Sequence, residues 1–186
     1  MTKLRIKEAA VRLFFEKGYG SCSMRDLASA VGVEAASIYN HYPSKEDILA
    51  TICLELMENQ LKGLHNIIHL RRTTVAQLEQ FISYYLKFQI DNWLAFQVTH
   101  TENKHLESKH EATFKKLRKS FENQVLELIN RGIQEEKFYS LDSEIVLNTL
   151  LSALRWRQNS TKKLEKLYQN KLNEMYQVIL KGIVKK

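Results

Sequence analysis

Apolar residues recur along this chain at steps of three and four, and their phase resets at a few punctuation points. The first run, Ile6, Ala9, Ala10, Leu13 and Phe14, predicts an amphipathic helix that buries one stripe and ends at Gly18, a suitable left-handed C′ residue. Ser23 then reads as an N-cap, with Asp26 three residues on in a capping-box arrangement. Val33 and Ile38 anchor a third helix against Leu27 and Val31, and Pro43 stops it by disfavouring helical geometry at Tyr42. A fourth helix starts at Ser44, with Asp47 in a second capping box, and runs to about His65–His69. Further helical stretches cover roughly 75–92, 93–104, 107–137, 142–157 and 162–184, with Asp142 as the N-cap of the fourth of these.

One proline and six glycines in 186 residues leave little from which to build β-turns. Gly18, Gly20, Gly32 and Pro43 cluster early, so the first 45 residues are cut into short pieces and long helices follow. The expectation is an all-α fold of about nine helices. It divides into an N-terminal unit at 1–46 and a helical bundle at 47–186, and shows no internal repeat or low-complexity tract.

The segment Met24–Pro43 carries the most information. Ala28 is small where two helices must cross closely, and Gly32, four residues later, supplies the positive φ of a tight turn. An alanine and a glycine at that spacing also suit an ordinary helix hairpin. The apolar positions, the cap and the proline stop all fall in the same register, which is the spacing of a helix-turn-helix whose second helix enters the DNA major groove.

Charge agrees without deciding the matter. The net charge is +7, which suits a polyanionic partner. Residues 1–45 hold Lys3, Arg5, Lys7, Arg12, Lys17, Arg25 and Lys45 against Glu8, Glu16, Asp26 and Glu34, so the surplus is denser at that end. No stretch approaches the ~18 apolar residues of a membrane span. The start, Met1-Thr2-Lys3-Leu4-Arg5, lacks the apolar segment of a secretory signal. Cys22 and Cys53 have neither CxxC spacing nor a disulfide pattern. A cytoplasmic protein without a membrane partner is expected.

Residues 3–57 resemble the N-terminal domain of the tetracycline-repressor (TetR) family. The likeness lies in Leu13-Phe14-Phe15-Glu16-Lys17-Gly18-Tyr19-Gly20, Ser23-Met24-Arg25-Asp26-Leu27-Ala28, Gly32-Val33, and Ser37 through Glu46. It implies that helices one to three bind DNA, that a fourth connects to the core, and that helices eight and nine dimerise. It also implies phosphate or base contacts from Ser37, Tyr39, His41 and Lys45, with Arg25 approaching the groove from the second helix. Ser37 and Tyr39 can donate to phosphate, and Lys45 adds charge beside a helix start, where anions are favoured. Ala35 and Ala36 offer only apolar contact to a thymine methyl, and Asn40 leaves the base preference open. His41, at helical spacing from Ile38, also reads as a packing residue.

The later helices suggest two more tasks. Leu147, Leu150, Leu151 and Leu154 form one stripe; Leu164, Tyr168, Leu172, Met175, Ile179 and Ile183 form another. Together they suit a four-helix seam across a two-fold axis, which a helix-turn-helix reading a palindrome requires; either stripe can also face its own core. Phe81, Tyr84, Tyr85, Phe88, Trp93 and Phe96, with Phe121 and Trp156, make an aromatic wall with polar handles, suited to a small apolar effector. His65 and His100 are candidate polar residues of that pocket. Thr101–Leu106 and Leu154-Arg155-Trp156 faintly resemble a TetR subgroup responding to acyl-coenzyme A thioesters, although Lys104 stands where arginine is common and Arg155 where asparagine is. The resemblance makes Lys104 and Arg155 candidate phosphate contacts.

Other chemistries find less support. His65 and His69 stand at i and i+4, but no third ligand is placed to complete a metal shell, so no metal or cofactor is expected. No phosphate loop, nucleophile elbow or paired catalytic carboxylates are present, so no enzyme is expected. The expected function is a ligand-responsive transcriptional regulator, most simply a repressor, that binds double-stranded operator DNA as a homodimer. A helical adaptor without sequence-specific DNA binding is the alternative, and it leaves the register of Ala28, Gly32, Tyr39 and Lys45 unexplained.

Overall fold

The structure is a computed structural model, described for residues 3–154, 174 and 176–185. Its helices are α1 (Lys3–Lys17), α2 (Met24–Val31), α3 (Ala35–Tyr39), α4 (Lys45–Ile68), α5 (Thr74–Asp91), α6 (Trp93–Glu102), α7 (Ser108–Gln134) and α8 (Ser143–Leu154), with a 3-10 turn at Asn103–His105. Residues 176–183 are also helical. The described residues contain no strand, only an isolated bridge between Phe138 and Val184. The all-α expectation holds.

The ends of these helices follow from local chemistry. The Gly18 N–H donates to the Phe14 carbonyl at 3.0 Å and closes α1. At α2 the Asp26 N–H donates to Ser23 Oγ, and the Ser23 N–H donates to Asp26 Oδ2 at 2.7 Å. The Ser23 hydroxyl also donates to Asp26 Oδ2, and this bond first, with the one from the Ser23 N–H, holds the Asp26 carboxyl below its usual range. Gly32, at φ 77°, ends α2 with its N–H on Ala28 O. A side chain there would be strained in the left-handed region. Ser44 and Asp47 cap α4, and Asp142 Oδ1 accepts from the Glu144 and Ile145 amides to start α8.

Two boundaries differ from the sequence reading. The α3 helix ends at Tyr39 rather than at Pro43, because the Ile38 carbonyl accepts from both His41 and Tyr42 and tightens the last turn. The α7 helix ends at Gln134 rather than 137, where the Lys137 and Phe138 amides turn back onto Gly132 O.

By packing, the chain forms two compact units. The first comprises Met1–Asn59 and Asn92–Leu117. In it α1 packs on α2 and α6, and α2 on α3. Ile6, Phe14, Leu27, Ile38, Ile48 and Leu49 are its fully buried centre. The second comprises Gln60–Asp91 and Arg118–Lys186, with Leu64, Leu78, Phe81, Ile82, Val125 and Ile129 at its core. In this unit Tyr84 lies against the α4 backbone, and a Cβ added at Gly63 would stand 2.0 Å from its hydroxyl. That hydroxyl donates to Gln60 O at 3.3 Å, and burial pushes its pKa up to about 12.

Candidate nucleic-acid interface and effector region

In the first unit α2 and α3 form the helix-turn-helix, the reading head of the chain. Leu27, Ala28 and Ile38 are buried between its helices, which leaves the opposite faces outward. Arg25, Ala36, Tyr39 and Asn40 are exposed, Tyr39 to 51% of its surface; Ala35, Ser37 and His41 are half-buried. Arg25, Ser37, Tyr39, Asn40 and His41 make no side-chain hydrogen bond among the described residues, so their polar groups are open to an outside partner. A phenol, an amide, a hydroxyl and a guanidinium on one side of a two-helix element can bond phosphates and base edges.

Lys45 is placed differently. Its ammonium donates to Tyr19 O at 2.8 Å and Cys22 O at 2.6 Å, and lies 4.2 Å from the centre of the Tyr19 ring. It therefore braces the loop between α1 and α2. Glu46 and Asp47 already bring carboxylates to the first turn of α4. The bracing was not legible in sequence, because it depends on where residues 19–22 return in space; the acidic first turn follows from the helix start alone.

Residues that the sequence reading left out complete the head. Glu46 is buried and faces His110, and the Tyr19 ring stacks on His105 with centroids 5.0 Å apart. Burial and the nearby Glu46 and Glu107 carboxylates push the Tyr19 phenol above its ordinary pKa. Glu46, Asp47 and His110 bring possible metal-ligand atoms within 4.8 Å of one another. Each of those groups already has a protein partner: Ser44 for Asp47, and the Glu107 amide and His110 for Glu46. Cys22 and Cys53 are buried and free. Burial raises both thiols, Cys53 to about 12, so neither is a ready nucleophile.

The expected aromatic wall divides between the units. Phe81, Tyr85 and Phe121 form one buried cluster in the second unit, with centroids 5.7–6.1 Å apart, and Tyr84 packs on Phe88 at 5.7 Å. Trp93, Phe96, His100 and Lys104 belong to the first unit, with His100 and Lys104 exposed. His65 is exposed too, its ring 4.2 Å from that of His69. Arg155 and Trp156 lie outside the described residues. Gln60 was not singled out from sequence. It is 3% exposed in the second unit, and its Nε2 has no hydrogen-bond partner among the described residues.

The α8 stripe points inward. Leu147, Leu150 and Leu154 are buried within their own chain, Leu151 is half-buried, and Ile179 is buried as well. The apolar atoms left outside belong to Leu141, Ile145 (67% exposed) and Val178 (74% exposed). With Thr149, Ala153 and Gly182 they line a groove of about 310 Å³. Leu164, Tyr168, Leu172 and Met175 lie outside the described residues.

Comparison with known proteins places this architecture. Residues 6–52 match the family described as bacterial regulatory proteins, tetR family, and residues 71–159 match the tetracyclin repressor-like C-terminal domain. The transcriptional repressor KstR2 of Rhodococcus jostii is 24% identical over 160 residues, 83% of this chain and 78% of that protein. The TetR-family regulator PfmR of Thermus thermophilus superposes with a TM-score of 0.87 at 26% identity, covering 100% of this chain and 99% of the other. FadR of Bacillus subtilis, solved with stearoyl-CoA, superposes at 0.71 with 20% identity, covering 98% and 100%, and shares the fold. Among the described residues no helix is long and apolar enough to cross a membrane. With both halves matched and the reading head in place, the chain belongs to the TetR family of DNA-binding transcriptional regulators, and the adaptor reading falls away.

Proposed function

We propose that this regulator is a repressor that grips a palindromic operator as a homodimer and releases it when a small apolar or acyl-CoA-like molecule enters the second unit. Residues 1–46 would read DNA, and 47–186 would bind the ligand and the second copy. The observation that carries the DNA role is the outward face of Arg25, Ala36, Tyr39 and Asn40 on a head whose inward face is fully buried. The second copy would seat on the exposed groove of Leu141, Ile145 and Val178, since Leu147, Leu150 and Leu154 already serve their own core.

The effector reading rests on Gln60 and the aromatic cluster. A buried amide without a partner among the described residues is costly, and a ligand carbonyl would remove that cost, with the aromatic cluster of Phe81, Tyr85 and Phe121 in the same unit. A protein solved with stearoyl-CoA shares the fold, which favours a thioester among the candidates. Arg155, of the second unit's sequence, remains the first residue to test as its phosphate contact. The ligand must prefer the state that does not bind DNA, because equal affinity for both states shifts nothing.

The test begins by selecting operator sequences from random duplex DNA with the full chain. Stearoyl-CoA, stearate and coenzyme A are then added to the complex separately. Release by stearoyl-CoA alone supports the thioester, and release by stearate as well supports a free hydrophobe. A ligand that raises the Tm without changing DNA affinity would overturn induction.

Substitutions separate positioning from bracing. Tyr39→Phe should weaken operator and scrambled DNA by similar factors, as loss of a phosphate contact does. Lys45→Met should do the same and also lower stability by roughly 1 kcal/mol, through the lost carbonyl bonds and ring contact. Thermal melts and binding titrations on both DNAs check these outcomes. An unchanged Tm for Lys45→Met would remove the bracing role.

A further inference from the structure

The reading head is held from a second direction, by residues more than sixty positions downstream of the start of α4. Glu46 is 6% exposed, and its Oε1 accepts the Glu107 N–H at 3.0 Å. His110 Nδ1 lies 3.1 and 2.8 Å from the two carboxylate oxygens. Beside this contact His105 stacks on Tyr19, at an interplanar angle of 27°. Tyr19 in turn receives Lys45, the residue before Glu46, on its carbonyl and its ring. The loop so fixed leads directly into Ser23, the N-cap of α2.

We propose that Glu46 and His110 are positioning residues for DNA recognition: their contact, backed by His105 on Tyr19, sets the angle at which α2 and α3 are presented. None of Glu46, His105 or His110 lies on the outward reading face. A buried carboxylate is costly unless bonded, so residues 105–110 cannot leave the head without leaving Glu46 unsatisfied. The junction is accordingly closed or open, with little between. The α7 helix begins at this clasp and continues into the second unit. If the effector acts there, as proposed above, the clasp offers it a route to the head. That last step rests on the proposed function; the positioning role does not.

The experiment uses the full chain with His110→Ala, His110→Asn and Glu46→Gln. Asparagine carries an amide nitrogen near the place of Nδ1, so it restores the donor that alanine removes. His110→Ala should cut the preference for selected operator over scrambled DNA by on the order of tenfold. Its affinity for scrambled DNA should stay within about twofold, because the phosphate contacts remain. His110→Asn should recover most of the preference, and Glu46→Gln, which keeps an acceptor for the Glu107 amide, should fall between. Equal loss on both DNAs, no loss, or identical behaviour of the alanine and asparagine variants would overturn the proposal.

Amide exchange supplies a readout that needs no operator. In His110→Ala the amides of Glu107 and of α2–α3 should exchange faster, and in His110→Asn they should return towards wild type. Unchanged exchange in α2–α3 would overturn the positioning role by itself. A wild-type protein that selects no DNA sequence would sink the proposed function, and the exchange comparison would still decide the clasp. Should His110→Ala fail to fold, Glu46→Gln against His110→Asn gives the same comparison.

Discussion

Raising the salt from 50 to 200 mM should weaken operator binding by roughly ten- to a hundredfold. Each head offers one outward cation, Arg25, with the Lys45 ammonium at its edge, so a dimer neutralises about two to four phosphates. Each neutralised phosphate releases condensed counterions, and the loss of affinity grows as a power of the salt concentration. The lower end of the range is expected because Lys45 already spends two donors on Tyr19 and Cys22. Titrations at four or five salt concentrations give the slope directly. A flat response would remove the phosphate-gripping role of this face.

Ile145→Asp combined with Val178→Asp should turn the dimer into a monomer that stays folded, and operator affinity should fall at least about a hundredfold. Two linked heads gain about 10²–10⁴ in avidity over one, and a monomer forfeits that gain. The substitutions place charges where an apolar groove of about 310 Å³ now lies, and both side chains are more than two-thirds exposed in the single chain. Folding should therefore survive, as circular dichroism and thermal melts would show, while sedimentation gives the mass of one chain. Leu150→Asp makes the contrast: Leu150 is 1% exposed, so that variant should lose the fold itself. A double variant that still sediments as a dimer would place the subunit contact elsewhere.

The two stripes on which dimerisation was expected show how far periodicity reaches. Leu147, Leu150, Leu151 and Leu154 recur as a helix seam should, and within the single chain Leu147, Leu150 and Leu154 are already buried. Spacing along one helix says that a face is covered and is silent about what covers it. Here the chain's own core covers much of it, and the groove that stays open is lined by Leu150, Ile179 and Ile183 of the stripes together with the more exposed Leu141, Ile145 and Val178. The aromatic wall carries the same lesson. Phe81, Tyr85 and Phe121 do meet, whereas Trp93 and Phe96, continuous with the first group in sequence, fall in the other packing unit.

The sequence by itself determined what short-range chemistry controls. The capping pairs Ser23 with Asp26 and Ser44 with Asp47, the Asp142 cap, and the left-handed Gly18 and Gly32 each act over a few residues, so they can be read from spacing alone. With the apolar phase, these determined the helices and the helix-turn-helix, while the family was legible only through the resemblance of residues 3–57. Only the tertiary structure decided that Lys45 braces a loop, that Gln60 is buried with no partner for its Nε2 among the described residues, and that Glu46 meets His110. Those facts rest on contacts between residues as many as 64 positions apart. Such contacts exist because packed apolar faces bring distant segments together, and nothing local to either residue records the meeting.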